Sequence, residues 1–390
     1  MIRVLVSSVL LTGCYGGSSV ESSGTDEGST GAGTTATPST SGPAEATTSS
    51  GGEPGTTGST TGSSSSGGST GPSESESSST GGPPGPTSAF CECSTNNPAA
   101  DAGSFEMCAT MLPDGTGTLY EPPPYSRTSD ADTQPGVPTG TVTSGTFSGS
   151  AIYPGITWDY WVYVPAQYDG SEPAALFLLT DGGVYQGGSY ATPTVLDNLI
   201  AEGAMPTTIA VFVDPGENDQ GQSQRSLEYD TPDANFVNFA LDELLPATVG
   251  AYEISDDPAM RAIGGRSSGG SAAFIAGWER PDAFGLIYTT LGSFVRHRAN
   301  ADGEYADKYP AAIEASDRKP LRVSLLSGIN DLDNKYGNWR DVHMEMTTAL
   351  DCAGYEYRSS FGESIHGDNS HPNHAFGADV RWLFAEAAGL

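Results

Sequence analysis

Short apolar runs alternate with segments of helical periodicity from about residue 140 to the end of the chain. Residues 174–179 and 208–213 are continuous apolar runs, which are typical of parallel strands buried on both faces of a sheet. The same kind of pattern predicts further strands at residues 260–263, 286–291, 321–326 and 356–361. Apolar periodicity predicts helices between them, at residues 193–201, 236–249, 272–278, 338–353 and 375–388. This alternation predicts an α/β fold built on a doubly wound, mostly parallel sheet.

Two further strands are predicted ahead of the parallel ones. Residues 141–147 and 158–164 are rich in β-branched and aromatic side chains and flank the turn Tyr153-Pro154-Gly155. They are expected to form antiparallel strands at the N-terminal edge of the sheet. The preceding segment, residues 110–138, is rich in Pro, Gly and Asp, and we expect it to lie on the surface as a loop.

The first residues have the pattern of an export signal. Arg3 precedes the apolar residues 4–10, and small residues then lead to Cys14. This stretch resembles a bacterial lipoprotein signal, which implies cleavage before Cys14 and a lipid anchor on that cysteine. We therefore expect residues 1–14 to be a signal peptide, and the protein to be extracytoplasmic and anchored at the outer membrane or cell surface. An ordinary signal peptide with an incidental cysteine is the alternative.

Composition divides the rest of the chain into three parts. Residues 15–89 consist mainly of Ser, Thr, Gly and Pro, with too few apolar side chains to offset the entropy of ordering, which predicts a disordered tether. A glycosylated, mucin-like stalk fits the same composition. Residues 90–134 are predicted to be a cysteine-containing preface loop, and residues 135–390 suit one α/β domain.

Four cysteines remain once Cys14 is set aside. They are an even number in a chain with an export signal, which favours disulfides. Three pairings exist, and we expect Cys352 to be tied to the segment 91–108. A metal site is the competing interpretation, but the first two of these cysteines have no matching second pair or nearby histidine. The four residues are Cys91, Cys93, Cys108 and Cys352.

The charge balance restricts the class of partner. The chain carries 16 basic and 48 acidic residues, which gives a formal net charge of −32 at pH 7. A protein this acidic repels the phosphates of nucleic acids and of anionic lipids. We therefore expect no nucleic-acid partner.

The segment after the strand at residues 260–263 contains the main candidate for chemistry. Gly265, Ser267 and Gly269 fill the pattern Gly-x-Ser-x-Gly, in which the serine lies on a strained turn between a strand and a helix. The flanking glycines leave room for this turn to close, because a side chain there would collide with its neighbours. Gly and Ser are abundant here, so a chance match is the competing interpretation, but strand, turn and helix occur in the required order. Ser267 is therefore the predicted nucleophile of a serine hydrolase.

A polar loop after the strand at residues 321–326 offers an acid. Asp331 lies just beyond the carboxyl end of this strand, where α/β proteins place their sites. It is predicted to hold the tautomer of a catalytic histidine and to stabilise the imidazolium without taking its proton. A loop-capping aspartate is the structural alternative, and Asp333 is the rival acid.

The predicted base follows the last strand. His366 lies closest to the strand end, so it is the preferred group to accept the proton of the nucleophile and return it to the leaving group. His371, farther along the same predicted loop, is the alternative base. A metal site of His366, Asp368, His371 and His374 has suitable ligand types but lacks a helical i, i+4 pair. We expect no metal and no other cofactor.

An oxyanion hole needs at least two hydrogen-bond donors. One is predicted to be the backbone N–H of Ser268, at the start of the helix after the nucleophile. The second is expected from the loop after the strand at residues 174–179, where Gly183 is preferred because glycine lets the backbone approach a substrate closely. An ordinary glycine turn is the alternative interpretation of this loop.

Several stretches of the chain carry a resemblance to a known family: residues 159–165 (DYWVYVP), 181–183 (DGG), 195–200 (VLDNLI), 225–230 (RSLEYD), 267–270 (SSGG), 278–284 (WERPDAF), 330–334 (NDLDN) and 381–383 (RWL). From about residue 135 to residue 383 the chain resembles the esterase family of α/β-hydrolases, which includes enterochelin esterases, feruloyl and acetylxylan esterases, and mycolyltransferases. The stretches are closest to the enterochelin-esterase-like branch. The resemblance implies an α/β-hydrolase fold and metal-independent ester hydrolysis through Ser267, Asp331 and a histidine equivalent to His366. One residue more than the family pattern lies between His366 and Arg381, which keeps His371 as the alternative.

Three functions from different classes follow from these observations. The leading hypothesis is a serine-dependent carboxylic ester hydrolase that works through an acyl-enzyme on a small-molecule or polysaccharide-linked ester. An acyltransferase of the mycolyltransferase type would use the same fold but pass the acyl group from Ser267 to a sugar or lipid hydroxyl. The third hypothesis is a surface binding protein that has kept the fold without catalysis.

Overall fold

A computed structural model describes Leu112 and residues 114–389. The predictions for the signal peptide, the lipidated Cys14, the tether, and Cys91, Cys93 and Cys108 lie outside the described residues. Cys352 is disulfide-bonded, and its pairing with the segment 91–108 stays a prediction. None of the helices in the described ranges is both long enough and apolar enough to cross a membrane.

The elements alternate along the chain as the apolar pattern predicts. The strands are β1 (Gly117–Glu121), β2 (Thr141–Ser148), β3 (Ile156–Val164), β4 (Ala175–Thr180), β5 (Thr208–Val213), β6 (Glu217–Asn218), β7 (Arg261–Arg266), β8 (Leu286–Thr290), β9 (Arg322–Gly328), β10 (Asp333–Asn334), β11 (Gly337–Asn338) and β12 (Glu356–Gly362). The α-helices are α1 (Gly182–Tyr185), α2 (Thr192–Glu202), α3 (Arg225–Tyr229), α4 (Asn235–Phe239), α5 (Leu245–Val249), α6 (Ser268–Glu279), α7 (Tyr309–Ala315), α8 (Trp339–Cys352) and α9 (Ser370–Phe384). A π-helical stretch, Ala240–Leu244, joins α4 to α5.

In the described part of the chain, ten strands form one sheet in the order β1-β12-β9-β8-β7-β4-β5-β3-β2, with β6 paired to β3. In this spatial order, all neighbouring strands from β1 at one edge to β5 are parallel. β3 is antiparallel to β5, and β2 is antiparallel to β3. This is the predicted mostly parallel sheet with antiparallel N-terminal strands at its edge. Because β7, β9 and β12 are parallel, their carboxyl ends lie at the same edge of the sheet, and the predicted site residues follow those ends.

Helices pack against both faces of the sheet. Along β4, Leu176 and Leu178 belong to one apolar cluster, while Phe177 and Leu179 belong to the other, because successive side chains of a strand point to opposite faces. The first cluster includes side chains of α6 and α8, and the second includes side chains of α2 and α9. Burial on both faces explains why this strand is an unbroken apolar run in the sequence.

Two stretches that were predicted to be loops contain regular structure. β1 lies within residues 110–138 and pairs in parallel with β12 at the edge of the sheet, so that prediction was wrong. Helix α9 begins at Ser370 rather than at residue 375, which places His371 and His374 on a helix and not on a loop. Pro372 is tolerated there because a residue in the first turn of a helix needs no N–H donor.

Candidate active site

Ser267 lies on the turn between β7 and α6 with φ 56° and ψ −126°, a conformation that residues other than glycine rarely adopt. A Cβ on Gly265 would lie 2.0 Å from Thr180 Oγ1 and 2.5 Å from the carbonyl oxygen of Gly269. A Cβ on Gly269 would lie 2.3 Å from the same threonine oxygen. The Ser267 N–H donates to the carbonyl oxygen of Thr290 at 2.9 Å, which ties the turn to the end of β8. The collisions expected at the two flanking glycines are therefore present in the structure.

His366 lies in the loop between β12 and α9 and reaches both of its predicted partners. Its Nε2 is 2.8 Å from Ser267 Oγ, and its Nδ1 is 2.7 Å from Asp331 Oδ1. The imidazole is 18% exposed, whereas the Asp331 side chain is fully covered. Arg266 donates from Nη2 to the carbonyl oxygen of His366, which anchors the loop to the residue before the nucleophile. The structure thus brings together the three side chains that the sequence singled out.

The contacts of Asp331 decide which nitrogen of His366 carries the proton. Asp331 Oδ1 also accepts the Leu332 N–H at 2.7 Å, and Oδ2 accepts the Ser327 hydroxyl at 2.9 Å. These contacts suit a carboxylate that only accepts, so the shared proton belongs on His366 Nδ1, and Nε2 is left to accept from the serine. Asp333, the rival acid, is exposed and lies in the β10–β11 hairpin.

A serine and a tryptophan that the sequence analysis missed extend this hydrogen-bond chain. Ser293, in the loop after β8, places its Oγ 3.3 Å from Ser267 Oγ and accepts the Trp339 indole N–H at 3.1 Å. Because the Ser293 oxygen accepts from the indole, its own proton can be donated to Ser267. The same indole meets the His366 ring edge-on, with centroids 5.6 Å apart. Ser293 could have been found from its position, since it follows a strand that lies between the strands of the serine and the acid.

The two predicted oxyanion donors have different environments. Ser268 is the first residue of α6, and no described residue accepts a hydrogen bond from its N–H, so this donor can serve a substrate oxygen. The Gly183 N–H, in contrast, donates to Asp214 Oδ1 at 2.7 Å. Asp181, with φ 51° and ψ 48°, turns the chain into the one-turn helix α1, whose first N–H groups need acceptors outside the helix. In this structure the Gly183 N–H is engaged by Asp214, so the second oxyanion donor stays a prediction.

An ion pair holds the loop after β4 against the residue before the nucleophile. Arg225 donates to both carboxylate oxygens of Asp181 at 2.8 Å, and its Nη2 also reaches the carbonyl oxygen of Arg266 at 3.2 Å. Burial would lower the pKa of Arg225, but the hydrogen bonds and the charge of Asp181 outweigh burial and raise that pKa. Burial also raises the pKa of the Asp214 carboxyl. One guanidinium therefore fixes both segments.

His371, the alternative base, does not face the nucleophile. Its ring is fully buried in the first turn of α9. Nδ1 lies 2.8 Å from Ser364 Oγ, and Nε2 lies 2.8 Å from Glu121 Oε2. Both ring nitrogens are engaged by groups other than Ser267, so the structure favours His366 over His371.

The alternative metal cluster is not assembled. His374 places Nδ1 2.8 Å from the carbonyl oxygen of Ser126, and Asp368 accepts the Ser370 N–H at 2.8 Å at the start of α9. Across Leu112 and residues 114–389, no group of three or more His, Cys, Asp or Glu side chains could hold a metal ion. His343 bonds elsewhere: its Nε2 lies 3.1 Å from Ser359 Oγ, and burial lowers its pKa to about 4.

Three exposed apolar side chains are sequence neighbours of predicted site residues. Leu332, Ile365 and Val184 each lie next in sequence to a predicted site residue, and they are 38%, 52% and 43% exposed. Such side chains, left in water beside a polar centre, provide a surface for an apolar part of a ligand.

Part of the chain is similar to a family of known sequences. Residues 156–338 match the sequence model of a family described as "Putative esterase". This segment includes Ser267 and Asp331, and His366 lies beyond it. The Iron(III) enterobactin esterase of Dickeya dadantii (strain 3937) is 33% identical over 137 residues, which is 34% of this chain and 29% of that protein. The match thus spans less than a third of the length of this curated relative.

Solved structures share the fold. A ferulic acid esterase has a TM-score of 0.50 at 19% identity, over 63% of this chain and 98% of its own. The enterobactin esterase of Shigella flexneri, solved in the presence of enterobactin, has a TM-score of 0.51 at 18% identity, over 65% and 61%. A ferulic acid esterase of Anaeromyces mucronatus has a TM-score of 0.50 at 16% identity, over 67% and 97%. At these identities the likeness establishes the α/β-hydrolase fold, and residues 156–338 are similar to the esterase family.

Proposed function

We propose that this protein is a serine carboxylic ester hydrolase in which Ser267 is the nucleophile, His366 the general base and Asp331 the acid that orients the base. The match to the esterase family supports the hydrolysis of carboxylic esters. The hydrogen bonds that run from Ser267 Oγ through His366 to Asp331 support the roles of the three side chains.

In the first half-reaction, His366 Nε2 takes the proton of Ser267 while Oγ bonds to the carbonyl carbon of the ester. The carbonyl oxygen becomes an oxyanion, which the N–H of Ser268 at the start of α6 stabilises. Asp331 stabilises the imidazolium through its contact with Nδ1. The proton then passes from Nε2 to the alcohol oxygen, the ester C–O bond breaks, and an acyl group remains on Ser267.

In the second half-reaction, His366 takes a proton from water as the water oxygen attacks the acyl carbon. The bond to Ser267 Oγ breaks, the proton returns to this oxygen, and the carboxylic acid leaves. The partial exposure of the imidazole, 18%, supports access of water to this step. A transferase would use a sugar or lipid hydroxyl in place of water.

The conformation of Ser267 is the observation that carries the proposal. A residue held at φ 56° and ψ −126° costs on the order of 1–3 kcal/mol and persists only where its surroundings enforce it. Here the close approach of Gly265, Gly269 and Thr180 enforces it, and the result is an Oγ within 2.8 Å of a histidine nitrogen. A serine with a purely structural role does not need such a turn.

Hydrolysis of p-nitrophenyl acetate by the full chain tests the proposal. Ser267→Ala should lower kcat at least about 10³-fold, because triad members act as a unit. Ser364→Ala is the matched control, since Ser364 also contacts a histidine at 2.8 Å but is buried. This control should keep kcat within about threefold. Retained turnover in Ser267→Ala would refute the assignment. A second assay, with an excess of a sugar acceptor, distinguishes a hydrolase from a transferase, because a hydrolase releases only free acid whereas a transferase makes a new ester.

The substrate that we propose is a small-molecule or polysaccharide-linked ester. Relatives are named for enterobactin and for ferulic acid. The exposed Leu332, Ile365 and Val184 would contact an apolar part of the acid or of the alcohol. Hydrolysis rates over a series of acyl chains of rising apolar size test this, and rates that fall steadily with size would contradict it.

The location that we propose is extracytoplasmic, with a lipid anchor on Cys14. The order of basic, apolar and small residues before this cysteine supports the proposal. Cys14→Ser should move the protein from the membrane fraction to the soluble fraction in a bacterial host. An unchanged distribution between the two fractions would contradict the anchor.

A further inference from the structure

A second histidine–carboxylate pair lies beside the proposed nucleophile and takes no part in the proposed reaction. His297, in the loop after β8, holds Nδ1 3.1 Å from Asp230 Oδ1. The Asp230 side chain, just beyond α3, is 7% exposed, and the His297 ring is 21% exposed. The pair therefore has a buried acid at its back and an imidazole that reaches the surface.

The acid fixes the hydrogen-bonding role of the imidazole. Burial alone would raise the pKa of Asp230, but its contacts with His297 and Ser268 outweigh burial and lower that pKa. A carboxylate cannot donate, so the proton between the two groups lies on Nδ1 of His297. In the neutral ring, Nε2 is then an acceptor.

This acceptor is held in one direction and left open. Among the described residues, a hydrogen bond is made to Nδ1 of His297 and none is made to Nε2. Tyr336 meets the ring edge-on, with centroids 4.7 Å apart and an interplanar angle of 89°, and Trp339 packs against it at 5.3 Å. A ring bonded through one nitrogen and packed against two aromatic side chains presents its other nitrogen in a fixed direction.

Two contacts join the pair to the proposed catalytic centre. The Trp339 indole lies between two imidazoles, 5.3 Å from the ring of His297 and 5.6 Å from the ring of His366. The side chain of Ser268, the residue that follows the nucleophile, is also close enough to Asp230 to lower the pKa of its carboxyl group. The buried indole thus contacts both imidazoles, which places His297 close to the proposed catalytic histidine.

We propose that His297, held by Asp230, accepts a hydrogen bond from a hydroxyl group of the bound ester and so forms a polar subsite. A hydroxyl fits because a neutral imidazole nitrogen needs a donor, whereas an anionic group would meet the charge of the carboxylate behind the ring. The partly exposed Tyr336 supplies apolar surface beside this position. The subsite deepens the proposed function and rests on it, since it serves the same substrate.

A binding experiment that needs no turnover tests this subsite. In the full chain with Ser267→Ala, the Kd of methyl 3-hydroxycinnamate and of methyl 4-hydroxycinnamate is compared with that of methyl cinnamate by calorimetry. The better-placed hydroxyl should tighten binding about fivefold, as a single hydrogen bond does. Adding His297→Phe, which keeps an aromatic ring between Tyr336 and Trp339, should remove this preference and leave the Kd of methyl cinnamate within about twofold.

Equal Kd values for the three esters in the Ser267→Ala protein overturn the proposal, and this holds even where the His297→Phe variant does not fold. An equal loss of affinity for all three esters in the double variant also overturns it, since that is the result of a purely structural role for His297. Failure of the proposed function has a different outcome, because the unaltered chain would then hydrolyse no ester although the binding preference was present.

Discussion

Two sets of side chains in this protein share one hydrogen-bond pattern. In each, a histidine joins a serine to an acid: the elbow chain consists of Ser267, His366 and Asp331, and the buried chain consists of Ser364, His371 and Glu121. The heavy-atom distances are 2.8 and 2.7 Å in the elbow chain and 2.8 and 2.8 Å in the buried chain. Hydrogen-bond lengths alone therefore do not distinguish them.

Access and backbone conformation do distinguish them. The ring of His371 is fully covered and stacks on Tyr125 with centroids 4.4 Å apart, whereas His366 is partly open. Ser267 has a positive φ enforced by its neighbours, while Ser364 is 2% exposed and does not have a positive φ. A nucleophile must reach its substrate, so the elbow chain suits chemistry and the buried chain suits a structural link between β1 and α9.

The histidine substitutions should have the largest effect on kcat and should separate the elbow chain from the buried chain most clearly. His366→Ala should lower kcat by about 10³-fold or more, because the serine loses its base. His371→Ala should keep kcat within about threefold but lower the free energy of unfolding by roughly 2–4 kcal/mol, because it leaves a cavity at a fully buried position and removes the partner of the partly buried Glu121. Steady-state kinetics and urea unfolding of both variants measure this. The reverse result, a dead His371→Ala and an active His366→Ala, would exchange the roles of the two chains.

The acids should show the same division with a smaller loss. Asp331→Asn puts a donor opposite His366 Nδ1 and favours the wrong tautomer, so kcat should fall roughly 10²- to 10³-fold with little change in stability. Glu121→Gln is the control from the buried chain and should leave kcat within about threefold. Similar kcat values for the two variants would show that the acid of the elbow chain has no special role.

The turn around Ser267 can be tested without substituting any residue of the elbow chain or of the buried chain. A methyl group at Gly265 meets Thr180 Oγ1 and the carbonyl oxygen of Gly269, so Gly265→Ala should cost about 3 kcal/mol of unfolding free energy and reduce kcat. Gly187→Ala is the matched control, because a Cβ at Gly187 meets nothing within 4 Å. Thermal unfolding and kinetics follow both. A Gly265→Ala protein as active and as stable as the control would contradict the role of the tight turn.

Glu228 is a buried acid that belongs to neither the elbow chain nor the buried chain. Its substitution should have the smallest of the expected effects, a change in how stability depends on pH. Both of its carboxyl oxygens accept the Gly216 N–H, and burial raises its pKa to about 7. The folded state therefore holds this proton more tightly than the unfolded state, whose pKa is near 4.5, and stability falls as pH rises through this range. Relative to wild type, Glu228→Gln should gain roughly 2 kcal/mol between pH 5 and pH 8 in urea unfolding. A difference that does not change with pH would contradict this cause.

Continuous apolar runs allowed the buried strands to be predicted from the sequence. The run predicted at residues 208–213 coincides with β5, because a strand covered on both faces must be apolar throughout. The edge strand β1 could not be predicted, because its five residues contain only two large apolar side chains and its position depends on pairing with β12. The start of α9 was obscured by Pro372, which fits a first turn as well as it fits a loop.

The same distinction between local and tertiary information applies to the site. Ser267, Asp331 and His366 could be proposed because each follows the carboxyl end of a parallel strand, and the topology brings those ends together. The hydrogen bond from the Gly183 N–H to Asp214 could not be predicted from the sequence, because Asp214 follows a different strand and only the fold makes the two residues neighbours. The burial of His371 likewise depends on an acid from a strand that the sequence does not reveal.

Active-site labelling tests most directly the central claim that Ser267 is activated through His366. The full chain is treated with a fluorophosphonate, digested, and analysed by mass spectrometry to locate the adduct. We expect one adduct, on Ser267, which is lost in His366→Ala and retained in His371→Ala. An adduct on Ser364, or labelling of Ser267 that does not depend on His366, would contradict the claim.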